Sequence, residues 1–161
     1  MLSWIEIDGT RLAANIDALR AITAPGTALM VVVKSNAYGH GLNAVVPVVA
    51  ARAEWLGVNS IDEALAITRL GIQKPVAILG HTPLAELELA VQNGYRQVLY
   101  RLDVAKALSR SAQKLGTTAK VHLKIETGTN RQGIAPADLQ PFVEEIRRLP
   151  GLEVEIGRAH V

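Results

Sequence analysis

Five apolar runs of strand length start near residues 28, 55, 75, 97 and 119, so consecutive starts lie 20 to 27 residues apart. That pitch is the repeat of a β–α unit, in which a helix carries the chain back to a parallel neighbouring strand through a right-handed crossover. The runs are Ala28 to Val33, Trp55 to Val58, Pro75 to Leu79, Gln97 to Tyr100 and Ala119 to Ile125, and a sixth begins at Leu152. No repeated sequence accompanies the spacing, which makes it a property of architecture and not of a solenoid. An α/β fold is therefore expected, either an open doubly wound sheet or a section of a (β/α)8 barrel. A whole barrel takes about 250 residues. The 161 residues of this chain would then supply only the first five to six units of an incomplete TIM-type barrel.

The segments between the runs read as helices with stop signals. Ser60 followed by Glu63 has the form of a capping box ahead of Ile61 to Leu70, which Gly71 ends. Thr82-Pro83 opens a helix that Asn93-Gly94 closes, Leu102 to Leu115 ends at Gly116, and Asp138 to Leu149 ends at Pro150-Gly151. Aromatic residues make up only 4% of the chain, so Ala, Leu, Ile and Val must form its core.

Charge excludes some partners. Lys plus Arg number 17 against 15 for Asp plus Glu, and the longest basic run is Arg147-Arg148. A nucleic-acid surface needs clustered cations, and none are clustered. No Cys is present, which removes disulfides, thiolate metal sites and Cys nucleophiles. The four histidines form no H-x-x-x-H pair, so no metal is expected. The longest apolar run is about a third of a membrane span. The opening residues carry no basic and apolar leader, so a cytoplasmic protein without membrane partners is expected.

In both candidate folds ligands bind at the carboxyl ends of the strands. Lys34 follows three valines there, and its amine should point into the mouth of the sheet. By position alone it either snorkels to solvent or serves as an amine able to condense with a carbonyl. Gly39-His40-Gly41-Leu42-Asn43-Ala44 has the loose form of a dinucleotide fingerprint, but Lys34 to Tyr38 separate it from the strand, which disfavours that reading. No P-loop occurs. After the fifth run, Gly128 and Gly133 bracket a loop carrying Arg131. That loop is either an ordinary solvated connection or a mount for a guanidinium aimed at an anion. Lys124 and Glu126 fall on one face of the strand before it.

Together these loops resemble the alanine racemase family. Val32-Val33-Lys34-Ser35-Asn36-Ala37-Tyr38-Gly39-His40-Gly41 is similar to the family's cofactor-lysine signature almost residue for residue. Trp4-Ile5-Glu6-Ile7-Asp8, Val58 to Ala64, and Leu123 to Gly133 resemble further family segments in order and spacing. The resemblance implies that residues 1–154 are the N-terminal part of a (β/α)8 barrel binding pyridoxal 5'-phosphate (PLP), with a C-terminal β domain outside this sequence. It implies a homodimer for the full-length protein and D-alanine supply for peptidoglycan. It also implies that Lys34 holds PLP as an internal aldimine and acts as the base on one face of the substrate. Tyr38 corresponds to the tyrosine that contacts the cofactor phosphate. Arg131 corresponds to the arginine near the PLP phenolic oxygen and the substrate carboxylate, and Lys124 to a lysine often carbamylated in the family. The second base, a tyrosine from the partner's C-terminal domain, lies outside this chain, so the 161 residues alone are expected to be inactive.

Thr129-Asn130-Arg131-Gln132 stands where a Met-Gly-Arg-Leu type sequence is commoner, which leaves room for a related racemase of broader specificity. A non-catalytic PLP-binding barrel is the other alternative, disfavoured by the Asn36 to Gly41 run. Residues 155–161, His160 among them, read like the translation of a sequencing-library adapter and are expected to be a non-native tail. Gly157-Arg158 would suit a central strand poorly.

Overall fold

In the computed structural model, which describes residues 4–159, every expected run becomes a strand: β1 (Met30–Val32), β2 (Trp55–Val58), β3 (Val76–Ile78), β4 (Arg96–Leu99), β5 (Ala119–Ile125) and β6 (Leu152–Ala159). The helices are α1 (Gly9–Ala21), α2 (Lys34–Tyr38), α3 (Leu42–Ala50), α4 (Ile61–Arg69), α5 (Leu87–Gln92), α6 (Leu102–Leu115) and α7 (Leu139–Arg147). Strand order follows chain order, β1-β2-β3-β4-β5-β6. A doubly wound sheet would reverse direction at a switch point, whereas sequential parallel strands are the barrel pattern. The barrel alternative is thus the one adopted. The chain divides within β3, after Ala77, into two compact units.

In the first unit β1 pairs in parallel with β2, from Met30 opposite Trp55 to Val32 opposite Gly57. β1 is shorter than the apolar run because Val33 turns away at φ −122°, ψ 21°, while its N–H still reaches the Gly57 carbonyl at 2.8 Å. Val46 and Val49 of α3, Leu56 and Val58 of β2, and Ala64 and Ile67 of α4 are fully buried. Burying a side chain of that size stabilises by about 1.5–3 kcal/mol. The Arg20 guanidinium, at 2.8 Å, and the Leu29 N–H hold the Glu54 carboxyl down at about 2. That contact ties the end of α1 to the entry of β2.

In the second unit α6 presents Val104, Ala107, Leu108 and Ala112 on one stripe, all buried against β4 and β5 residues such as Leu99 and Val121. Gly116 stops the helix with a left-handed φ of 62°, as its sequence required. The segment from Thr82 begins with a 3-10 turn (Leu84–Glu86) before α5, and α7 likewise starts after a 3-10 turn at Pro136–Asp138. β5 pairs in parallel with β4 and with β6.

Between Val121 and His122 the β5–β6 register shifts, so Val154 and Ile156 face consecutive residues and Glu155 is the extra residue of a bulge. Its carboxylate meets Arg96 Nε at 3.0 Å and His122 Nε2 at 3.2 Å. β6 is the last strand in the order. His160 and Val161 lie outside the described residues.

Candidate active site

The residues after β1 take a conformation that their types do not favour. Ser35, Asn36, Ala37 and Tyr38 all lie at φ of 53–54°, and the first three have ψ of 48–50°. This is a left-handed helical turn built without glycine. Ser35, Ala37 and Tyr38 each cost roughly 1–2 kcal/mol there, while Asn36 is a type that visits this region more readily. Strain of this kind persists only where the surroundings over-determine it.

Those surroundings are visible. Ala37 N–H donates to Val33 O at 2.9 Å and Gly39 N–H to Ser35 O at 3.0 Å, so the turn has its own hydrogen bonds. Ala37 is buried beneath it. Asn36 Oδ1 accepts from Leu42 N–H at 2.8 Å, which caps α3 where Gly41 has no side chain to do so. His40 Nδ1 donates to the Ala37 carbonyl at 2.9 Å. Gly39 and Gly41, at φ of 86° and 93°, then release the chain into α3 at positions where a side chain would be strained.

Glu63 supplies the contact from outside the loop. One carboxylate oxygen accepts from Ser35 N–H at 2.6 Å, the other from Asn59 N–H at 2.7 Å. Half of the capping box expected at Ser60 forms: Ser60 Oγ caps α4 by accepting from Glu63 N–H at 3.5 Å, but the Glu63 side chain does not return to the Ser60 amide. The charged acceptor goes instead to two amides at the ends of neighbouring strands, in bonds stronger than those between neutral groups.

Lys34 stands at the start of this turn, half-buried, with Nζ 5.9 Å from the centre of the Tyr38 ring. Tyr38 is 59% exposed. The two expected residues of the first unit are therefore neighbours across one left-handed turn. On its other flank the turn borders a groove of about 360 Å³ lined by Ile7, Leu12, Val31, Val45 and Tyr38 among others.

In the second unit, Lys124 is 8% exposed on β5 and Nζ donates to Gln132 Oε1 at 3.4 Å. Leu123 is buried as well, so both faces of the strand are covered. Arg131 is exposed on the following loop. That loop is closed by Glu126, whose Oε1 accepts from Gly128 N–H at 2.6 Å and Asn130 N–H at 2.8 Å. The Asn130 and Gly128 amides hold the Glu126 carboxyl below its ordinary value. Ile134 N–H returns to Lys124 O at 2.8 Å, and Glu126 N–H to Ile134 O at 2.9 Å. Gly133, at φ 146°, is pressed so close that a Cβ would lie 2.5 Å from Glu126 N.

Lys34 and Tyr38 follow β1, Lys124 lies within β5, and Arg131 is on the loop that follows it, the positions expected for each from the sequence. The sequence reading missed Glu63 as a tether of the lysine loop, Asn36 as a cap, Gln132 as a Lys124 partner and Glu126 as a loop clasp. Of these only Glu63 left a signal, the Ser60-to-Glu63 spacing, and that signal pointed to a different amide. Among the described residues no group of three or more His, Asp or Glu could hold a metal ion.

Comparison with known proteins places this arrangement. Residues 7–160 match the family model described as alanine racemase, N-terminal domain. An alanine racemase from Symbiobacterium thermophilum is 40% identical over 158 residues, covering 95% of this chain and 41% of that protein. A solved alanine racemase from Clostridium difficile 630 superposes with a TM-score of 0.88 at 27% identity, covering 94% of this chain and 42% of the other. A solved histidine racemase from Leuconostoc mesenteroides superposes with a TM-score of 0.81 at 27% identity, covering 89% and 39%. The chain spans about two fifths of the length of the curated relatives it matches. With its sequential barrel strands and its lysine signature at the end of β1, the chain belongs to the alanine racemase N-terminal domain family.

Proposed function

We propose that this chain is part of a PLP-dependent racemase that interconverts L- and D-alanine. The observation that carries the reading is Lys34 itself: a half-buried amine at the carboxyl end of β1, beside the Tyr38 phenol, on a turn of unusual conformation. An amine next to a phenol donor at a strand end is chemically suited to an aldehyde-bearing phosphate, so the residues present fit PLP. When bound, PLP draws electrons from the substrate Cα and so makes loss of its proton feasible. Lys34 would hold the cofactor and move the proton on one face. Tyr38 would donate to the phosphate, and Arg131 would face the cofactor's phenolic oxygen and the substrate carboxylate with its fixed fork of donors. Lys124 would be the carbamylated residue, a change that removes a cation from β5.

The finer assignments are part of the same proposal: a cytoplasmic, homodimeric enzyme supplying D-alanine for peptidoglycan. No helix among the described residues is long and apolar enough to cross a membrane. The proton donor for the opposite face is assigned to a partner domain outside this sequence, so the 161 residues alone should not racemise alanine. Residues 155–161 are proposed to be non-native on their likeness to an adapter translation. Reading the source locus tests that directly: a gene that continues past codon 154 with different residues supports it.

A broader amino-acid racemase is the second reading, favoured by the departure at Thr129-Asn130-Arg131-Gln132 and by the likeness to a histidine racemase. The uninterrupted reading frame, purified with PLP, should convert L-alanine to D-alanine, and Lys34→Ala should lower the rate by about 10²- to 10⁴-fold or more. A panel of L-amino acids separates the two readings: alanine preferred over bulkier substrates supports the first. Conversion that survives Lys34→Ala overturns both.

A further inference from the structure

We propose that Glu63 is a positioning residue for Lys34, an inference that rests on the functional reading above. The Ser35 N–H belongs to the peptide plane that leaves Lys34, so the 2.6 Å bond to Glu63 fixes the orientation of that plane. Fixing that plane fixes where the Lys34 Cα–Cβ bond points, and with it the reach of the amine. The second oxygen is anchored on Asn59 N–H at 2.7 Å, at the end of β2, so the carboxylate is a brace from one strand end to the next. Glu63 itself is rooted in the first turn of α4, whose Ile61, Ala64 and Ile67 are buried in the first unit. The brace therefore ties the longest run of left-handed, non-glycine backbone among the described residues to a helix buried in the first unit.

The chemistry of the acceptor matters. Two amide donors converge on one side chain, and a carboxylate offers an acceptor to each. A glutamine of the same shape offers one oxygen and turns an N–H₂ toward the other donor, leaving it unsatisfied. An aspartate is one methylene too short to span both. Glu63 touches neither substrate nor cofactor in this account; it acts through the Lys34 backbone.

The test uses the uninterrupted reading frame that carries this segment, with wild type, Glu63→Gln, Glu63→Ala and Ile67→Val compared. The last variant loosens the same helix without touching either amide. Two readouts are taken: amide hydrogen exchange at Ser35 and Asn59 without cofactor, and the rate at which PLP becomes fixed to Lys34 by borohydride. Loss of about 1 Å in placement can cost about 10²-fold, so Glu63→Ala should slow fixation by about 10- to 100-fold. Glu63→Gln should fall between it and wild type, and both should speed Ser35 exchange. Ile67→Val should leave Lys34 fixation unchanged. Wild-type fixation rates in folded Glu63→Gln and Glu63→Ala, with Ser35 exchange unaltered, overturn the proposal while the functional reading stands. A folded wild type in which Lys34 is never fixed overturns the functional reading itself, and the exchange data still decide whether Glu63 holds the Ser35 amide.

Discussion

The loop after β1 and the loop after β5 solve the same problem by different means. Each leaves a parallel strand at its carboxyl end, and each is held by a glutamate carboxylate: Glu126 takes two amides of its own loop, whereas Glu63 takes one amide of the β1 loop and one at the end of β2. The β5 loop is self-contained. Glu126 binds amides two and four residues ahead, the positive-φ positions fall on Gly128, Asn130 and Gly133, and the ends are stitched by Ile134 to Lys124. The β1 loop is held from outside. It places four residues with side chains in the left-handed region and relies on Glu63, 28 positions away, to hold the first of them. Local chemistry suffices where glycine removes the strain. Where a lysine, an asparagine and a tyrosine must each present a side chain, tertiary contacts have to carry it.

The largest expected effect strikes the self-contained loop. Gly133→Ala places a Cβ against the Glu126 amide at a φ that only glycine adopts readily, and should cost about 3 kcal/mol, measured as a lower denaturation midpoint. A loss under about 1 kcal/mol would mean that the loop gives way easily. Next comes Asn36→Ala, which removes the cap on Leu42 N–H and the non-glycine residue type that best tolerates φ > 0. It should cost about 1–2 kcal/mol. Ser35→Gly should act in the opposite direction: it relieves a left-handed residue on the exposed side of the turn and should stabilise by up to about 1 kcal/mol. Together these two variants test whether the strain is real.

The smallest effect is in acid. The folded-state value of Glu126 is depressed, so its contribution is fully present above the ordinary 4.5 and disappears as pH falls through the folded value. Glu126→Gln should therefore flatten the loss of stability below pH 4.5. Glu54, held at about 2, keeps part of the slope. An unchanged acid profile in Glu126→Gln would show that the clasp contributes nothing to folding.

How much of this was legible follows from what each element depends on. Leu102–Leu115 was readable to the residue because an apolar stripe and a terminal glycine are local signals. α1 was not, since it buries only Ala13 and Ile16 among its core-facing positions and shows little stripe to find. α3 was hidden differently: it is almost wholly apolar and contains Pro47, and a run without polar residues has no period to read. At the site, position singled out Lys34 and Arg131 but left each open between a solvated and a functional residue; only the family resemblance gave them roles. The left-handed turn runs against the preference of Ser35, Ala37 and Tyr38, and one of the contacts that hold it reaches across 28 positions to Glu63. The burial of Lys124 on β5 was equally invisible, because lysine composition argues for exposure.

The Lys34 amine is the group proposed to take the cofactor. The direct measurement is to incubate the protein with PLP, reduce with borohydride, digest, and locate the pyridoxyl group by mass spectrometry. A single labelled peptide is expected, with the modification on Lys34 and absent in Lys34→Ala. A label on another lysine, or none in folded protein, would contradict the assignment.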